Sequence, residues 1–133
     1  MMTPLNGTLL NAFPYKDFIR VEDLIYFEGP LLVHYTNHKG QNFLYHWVDN
    51  NEAANRWLIY RVTQQNLLNY LRGQEDFKSL LQHTISDLIL VVDVNDNGQR
   101  ILIQQVELED LPEDYIPADG VYYELSIPEF YDA

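Results

Sequence analysis

The sequence predicts an α+β fold: a mostly antiparallel β-sheet built from hairpins, with one or two short helices packed on one face. Three observations carry this. Two pairs of aromatic and β-branched runs are joined by short turns that end in glycine, Asn37–Gly40 and Asn95–Gly98, and runs paired in that way read as hairpins. The stretch between the two pairs, residues 63–82, carries capping residues and helix-spaced leucines instead of alternation. The end of the chain is interrupted by Pro112, Pro117 and Pro128, which confines it to edge or irregular structure.

Taken in order, Leu24 to Glu28 is a short apolar and aromatic run that Gly29-Pro30 stops and redirects. Leu31 to Thr36 and Gln41 to Val48 flank the first turn, where Gly40 can take a positive φ. Asn37 then faces Gln41. That register sets Tyr35 opposite Phe43, Val33 opposite Tyr45 and Leu31 opposite Trp47, gathering one apolar and aromatic face; a slip of one residue destroys it. Trp57 to Val62 supplies another strand. Thr63 is a helix N-cap, Val62 and Leu67 form a hydrophobic staple, and Leu67, Leu68 and Leu71 define the buried stripe. Gly73 ends the helix where a left-handed residue is wanted. Asp76 caps a shorter helix with Phe77, Leu80 and Leu81 on its apolar face. Leu88 to Val94 and Gln99 to Val106 make the second hairpin, whose first strand is apolar on both faces and so belongs in the middle of the sheet. One edge strand is expected at Val121 to Leu125.

Size and composition fit a single domain over residues 1–133: 47% of the residues are hydrophobic, enough for a core. The absence of cysteine excludes disulfide scaffolds, thiolate metal sites and cysteine nucleophiles. A net charge of −12 argues against nucleic acid as a direct ligand, because phosphate neutralisation needs a basic surface. Residues 1–13 lack the basic start and apolar core of an export signal, and the longest aliphatic run, Leu88 to Val92, is far too short to span a bilayer. A soluble, cytoplasmic protein is expected, with no membrane partner and no cofactor.

Two constellations could carry chemistry. Asp93-Val94-Asn95-Asp96-Asn97-Gly98 places oxygen-bearing residues at the first, third and fifth positions and glycine at the sixth, resembling the start of an EF-hand calcium loop, with Ile101 at the usual apolar eighth position. The likeness stops at the twelfth position, where Gln104 stands in place of glutamate, and in the flanks, which read as strands. Asp93 to Asn97 also looks like the calcium linker of cadherins, but no second repeat is present. Asp93, Asn95 and Asn97 are therefore weak ligand candidates beside the simpler reading of a hairpin turn. His34 and His46 lie on the hairpin face opposite the aromatic one, diagonal to each other, and could share a metal or form a pH-sensitive pair. Leu32 and Leu44 beside them favour a half-buried or partner-covered surface. Ser79, Ser86 and Ser126 lie in no nucleophile elbow, the glycines form no phosphate loop, and pairings among Glu22, Asp23 and Glu28 are arbitrary in so acidic a chain.

Charge is unevenly distributed. Residues 1–66 carry a net −1 and residues 67–133 a net −11. From Glu107 onward there are nine acids and no Lys or Arg, with Tyr115, Tyr122, Tyr123, Phe130 and Tyr131 among them. Aromatic rings bury on a partner while acids steer a basic surface toward it; the same rings can instead dock the segment on its own domain.

Across residues 24–82 the order Tyr26-Phe27-Glu28-Gly29-Pro30-Leu31-Leu32, a Gly-turn hairpin with Leu44-Tyr45, Trp57-Leu58, and a Val62-Thr63 capped helix ending at Gly73 resembles a small uncharacterised bacterial domain family, a domain of unknown function. The resemblance implies a fold and a bacterial setting, and no reaction; no site residues carry over from it. The acidic end after Glu107 lies outside that stretch.

The function expected from these features is a non-enzymatic, acidic protein-interaction module that binds a basic protein, in the manner of an immunity protein, antitoxin or accessory inhibitor. Its expected contacts are Glu107, Glu109, Asp110, Glu113, Asp114, Tyr115, Tyr122, Tyr123, Phe130 and Tyr131, in the proline-interrupted segment 107–133. The alternatives are a calcium or small-ligand domain using the Asp93–Gly98 turn, and an enzyme with a metal on the His34 and His46 face. The apolar edge of the Leu31–Val48 hairpin could pair with a second copy to give a homodimer.

Overall fold

Strands joined by connections of only three to five residues can pair only antiparallel, and four of the connections here are that short. The computed structural model, which describes residues 3–4, 18–27, 29–85 and 88–123, contains strands β1 (Thr3–Pro4), β2 (Ile19–Tyr26), β3 (Pro30–Thr36), β4 (Asn42–Asn50), β5 (Asn55–Val62), β6 (Leu88–Val94) and β7 (Arg100–Glu107). They form one seven-stranded sheet in the order β1-β7-β6-β5-β4-β3-β2. Every pairing is antiparallel. Helices α1 (Gln64–Leu71) and α2 (Phe77–Gln82) lie between β5 and β6 in the chain. The fold is the α+β arrangement that the hairpins and the capped helix predict.

Both turn registers follow from their residues. Tyr35 opposes Phe43 and Val33 opposes Tyr45. Gly40 and Gly98 take φ values of 74° and 77°, where a side chain would be strained. In each turn the leading asparagine accepts backbone N–H bonds through Oδ1, Asn37 from Lys39 and Gln41, and Asn95 from Asn97 and Gln99. Thr63 caps α1 by accepting the Asn66 N–H at 3.0 Å, and Asp76 caps α2 by accepting that of Ser79 at 2.8 Å.

Three expectations are corrected. The first long strand begins at Ile19, not Leu24; Arg20, Glu22 and Asp23 break the apolar pattern because β2 is an edge strand, where charges and its three register irregularities discourage pairing with another chain. The Leu31–Val48 hairpin has no free edge, since β3 and β4 each have a neighbour on both sides. Val121 to Tyr123 are not in a strand, and Glu124 and Leu125 lie outside the described residues.

Period-two alternation divides the core into two layers. On one face Leu32, Leu44, Leu58, Tyr60, Val62, Ile89, Val91 and Val106 meet Leu67, Tyr70 and Leu71 of α1 and Phe77, Leu80 and Leu81 of α2. On the other, Phe43, Ile59, Leu90 and Val92 are buried, with Phe18, Tyr35, Tyr45, Val94 and Ile103 packed around them. Leu58, Ile59 and Tyr60 are consecutive and each at most 1% exposed, so β5 is buried on both faces, as β6 is from Ile89 to Val92. Leu44→Ala should therefore lower unfolding stability by about 2–5 kcal/mol through lost transfer energy and a cavity, whereas Ile101→Ala, at an exposed position of β7, should cost under about 0.5 kcal/mol; urea denaturation distinguishes the two.

Candidate functional site

The acidic segment departs from the sheet at the end of β7 and continues through two 3-10 turns, Leu108–Asp110 and Glu113–Tyr115. Five of its apolar residues face the domain: Leu111 is buried, and Leu108, Tyr115, Ile116 and Tyr123 pack on the helix-side core. Backbone bonds fasten it to α2. The Phe77 N–H donates to the Val121 carbonyl at 2.7 Å, and the Gly120 N–H donates to Asp76 Oδ2 at 2.9 Å. The amides of Gly120 and then Ser79 hold the Asp76 carboxyl below the usual carboxylate range. Lys78 meets Asp119 at 3.2 Å.

The ten expected contact residues are thereby divided. Glu107, Glu109, Asp110, Glu113 and Asp114 are exposed, and Tyr122 is half exposed. Tyr115 and Tyr123 turn into the domain, Tyr123 with its ring 5.6 Å from that of Tyr70. Phe130 and Tyr131 lie outside the described residues. Among the described residues, the one grouping of three metal-capable side chains is Glu107, Glu109 and Asp110, whose carboxylate oxygens come within 4.8 Å of one another, all exposed.

The Asp93–Gly98 turn is committed elsewhere. Asp93 opposes Arg56 across the β5–β6 seam, and the guanidinium grips its carboxylate in bidentate fashion, Nε at 2.7 Å and Nη2 at 3.0 Å. Arg56 Nη1 donates to the Tyr115 hydroxyl at 3.0 Å. Sequence reasoning missed this triad because its members are scattered along the chain; the local signal was an arginine, Arg56, at the head of the apolar run Trp57 to Tyr60. The bond to Asp93, foremost, raises the Arg56 pKa. With the first position occupied by a cation and the Asn95 oxygen capping the turn, the loop has the geometry of a hairpin turn and not of a calcium cradle.

His34 and His46 are 1% and 6% exposed under the helices, more deeply placed than a partner-covered surface would be. They turn to different partners: His34 Nε2 is 2.8 Å from Asn42 Oδ1, and Asn42 in turn donates to Gln64 at the start of α1. His46 Nδ1 is 3.2 Å from the Tyr60 hydroxyl, its ring centroid 4.5 Å from that of Phe77. Burial pushes the pKa of both down, that of His46 to about 3. They act as neutral, hydrogen-bonded core residues that tie the sheet to both helices.

Two outcomes follow from these networks. Arg56→Met should cost about 2 kcal/mol by leaving Asp93 unpaired, and adding Asp93→Leu should recover part of it, measured by urea denaturation. Unfolded histidine binds a proton near pH 6.5, while folded His46 does so only near 3; in that window the unfolded state holds more protons, so stability falls as pH falls, by at most about 1.4 kcal/mol per pH unit per histidine. His46→Phe should flatten the slope between pH 7 and 5, whatever its effect on stability at pH 7.

No helix among the described residues is long and apolar enough to cross a membrane. No curated protein and no solved structure matches the chain. A family model described as a family of unknown function (DUF6575) matches residues 18–126. The match reaches well beyond residues 24–82 and takes in β2, the second hairpin and the docked acidic segment as one unit. The chain, with its hairpin sheet, capped helices and folded-back acidic end, belongs to that family of unknown function.

Proposed function

We propose that this chain is a non-enzymatic, acidic interaction module of bacterial type that works in the cytoplasm by binding a basic protein, as an immunity protein, antitoxin or accessory inhibitor does. The observation that carries the reading is the presentation of Glu107, Glu109, Asp110, Glu113 and Asp114. All five are exposed on a segment whose Leu111 is buried in the core and whose Leu108, Tyr115 and Ile116 pack against it. Anchoring lowers the ordering entropy that binding would otherwise cost. Glu107, Glu109 and Asp110 bring carboxylate oxygens within 4.8 Å of one another, which concentrates negative charge at one place on the segment.

An apolar contact region lies along the later part of the same segment. Val121 and Tyr122, with Tyr26 of β2, line a cleft of about 470 Å³ that reaches in to Tyr70 and Leu24. Tyr26 is 66% exposed and the neighbouring Phe27 71%. Acids early in the segment can steer a basic partner while the aromatic rings later in it bury against that partner. Asp93 and Asn95 of the turn, and His34 and His46, already hold hydrogen bonds within the domain.

Neutralising the acids tests the reading without disturbing the anchors. A variant with Glu107→Gln, Glu109→Gln, Glu113→Gln and Asp114→Asn should keep its denaturation midpoint and lose salt-sensitive capture of its basic partner from native extract, with association about tenfold slower at low ionic strength. Capture unchanged by the four substitutions would remove the role assigned to the segment.

A further inference from the structure

Four tyrosines belong to the cleft between β2 and the end of the acidic segment, which Leu24 and Val121 also line. Tyr26 and Tyr122 stand at the surface, while Tyr70 is buried and Tyr123 half-buried. The rings of Tyr70 and Tyr123 lie 5.6 Å apart between centroids and are inclined at 55°, a tilted pair and not a closed stack. Burial, foremost, holds both hydroxyls above the ordinary phenol pKa. The two rings are therefore neutral, and they keep the negative π-faces that attract cations.

A carboxylate accompanies the rings. Glu22 opposes His34 across the β2–β3 pair, and residues directly opposite each other project from the same face, which puts Glu22 on the helix side with Leu24. It is half-buried, and its charge reaches the Tyr123 hydroxyl. The next residue, Asp23, is paired with Arg20, whereas no Lys or Arg among the described residues forms an ion pair with Glu22. None of the described residues that line the cleft is basic. An apolar ligand would cover the rings and strip water from Glu22 without replacing it, which is costly, and an anion would be repelled. A flat cation answers the rings and the carboxylate together.

We infer, on the footing of the basic-partner role proposed above, that this cleft receives an arginine side chain of the partner, its guanidinium laid on the tyrosine rings and turned to the Glu22 carboxylate. A guanidinium is planar, stacks on aromatic faces and presents paired N–H donors that match a carboxylate, while a lysine ammonium is a compact, more strongly hydrated charge that gains less from either. The acidic segment and the cleft then have separate tasks. Glu107 to Asp114 attract positive charge of any kind, and the cleft selects among the side chains that carry it.

The test is an NMR titration of the full chain at low salt with an amidated octapeptide of alternating glycine and arginine, beside its lysine counterpart of equal charge. The arginine peptide should bind about fivefold more tightly and shift the methyl resonances of Leu24 and Val121. Equal affinities, or Leu24 and Val121 unmoved at saturation, would overturn the proposal. Glu22→Gln, which preserves the shape of the side chain, and Tyr122→Ala, at a half-exposed position, should each bring the arginine peptide down toward the affinity of the lysine one. The preference surviving Glu22→Gln would equally overturn it, whether or not Tyr122→Ala keeps its fold. The variant with Glu107→Gln, Glu109→Gln, Glu113→Gln and Asp114→Asn should weaken both peptides alike and leave the preference intact. Loss of the arginine preference in the parent, with capture from extract still dependent on those four acids, would remove the cleft's role and spare the segment's. An arginine preference with capture indifferent to the four acids would do the reverse.

Discussion

Burial of two adjacent strands on both faces is the constraint on which the remainder of the molecule depends. β5 and β6 present apolar side chains upward and downward in succession, Leu58, Ile59 and Tyr60 on one, Ile89 to Val92 on the other. A strand of that composition is stable only between two layers. The helix pair answers one side, and its placement between β5 and β6 in the chain means that the same seam receives its cover from the connection that joins it. The docked acidic segment extends that layer past the end of the helices, where Arg56, Asp93 and Tyr115 close the margin with polar groups that satisfy one another.

The legible parts of the fold were those encoded by neighbours in sequence. Gly40 and Gly98 set both hairpin registers, because a left-handed turn residue has few alternatives. Thr63 and Asp76 announced both helices by the same short-range logic. The strand β1 has only two residues and offers no period to read, and Arg20, Glu22 and Asp23 hid the start of β2. Tyr70 is fully buried, although the leucine stripe alone suggested the helix's inward face.

Candidate site residues were harder to place, for a physical reason. Whether a polar side chain is functional or structural depends on partners brought by folding. His34 and His46 flanked by leucines suggested a half-covered surface, and it is the helix pair, arriving from residues 64–82, that seals them. Asp93 reads as a calcium ligand until Arg56, 37 positions earlier, is placed beside it. Tyr115 and Tyr122 belong to one aromatic series in sequence, yet one supplies its hydroxyl to an internal arginine and the other stays at the surface. Charge was more transparent, since exposed carboxylates remain exposed unless something pairs with them.

The β5–β6 seam has a consequence for the way the chain assembles. Pairings on either side of it, β2 through β5 and β6 with β7, join strands separated by three to five residues, and such hairpins close at little entropic cost. The seam instead brings Trp57 against Val92, across the whole helical excursion. The two locally formed parts must therefore meet at a non-local join, and contact order, with the folding barrier it raises, is concentrated there and in the still longer-range pairing of β1 with β7.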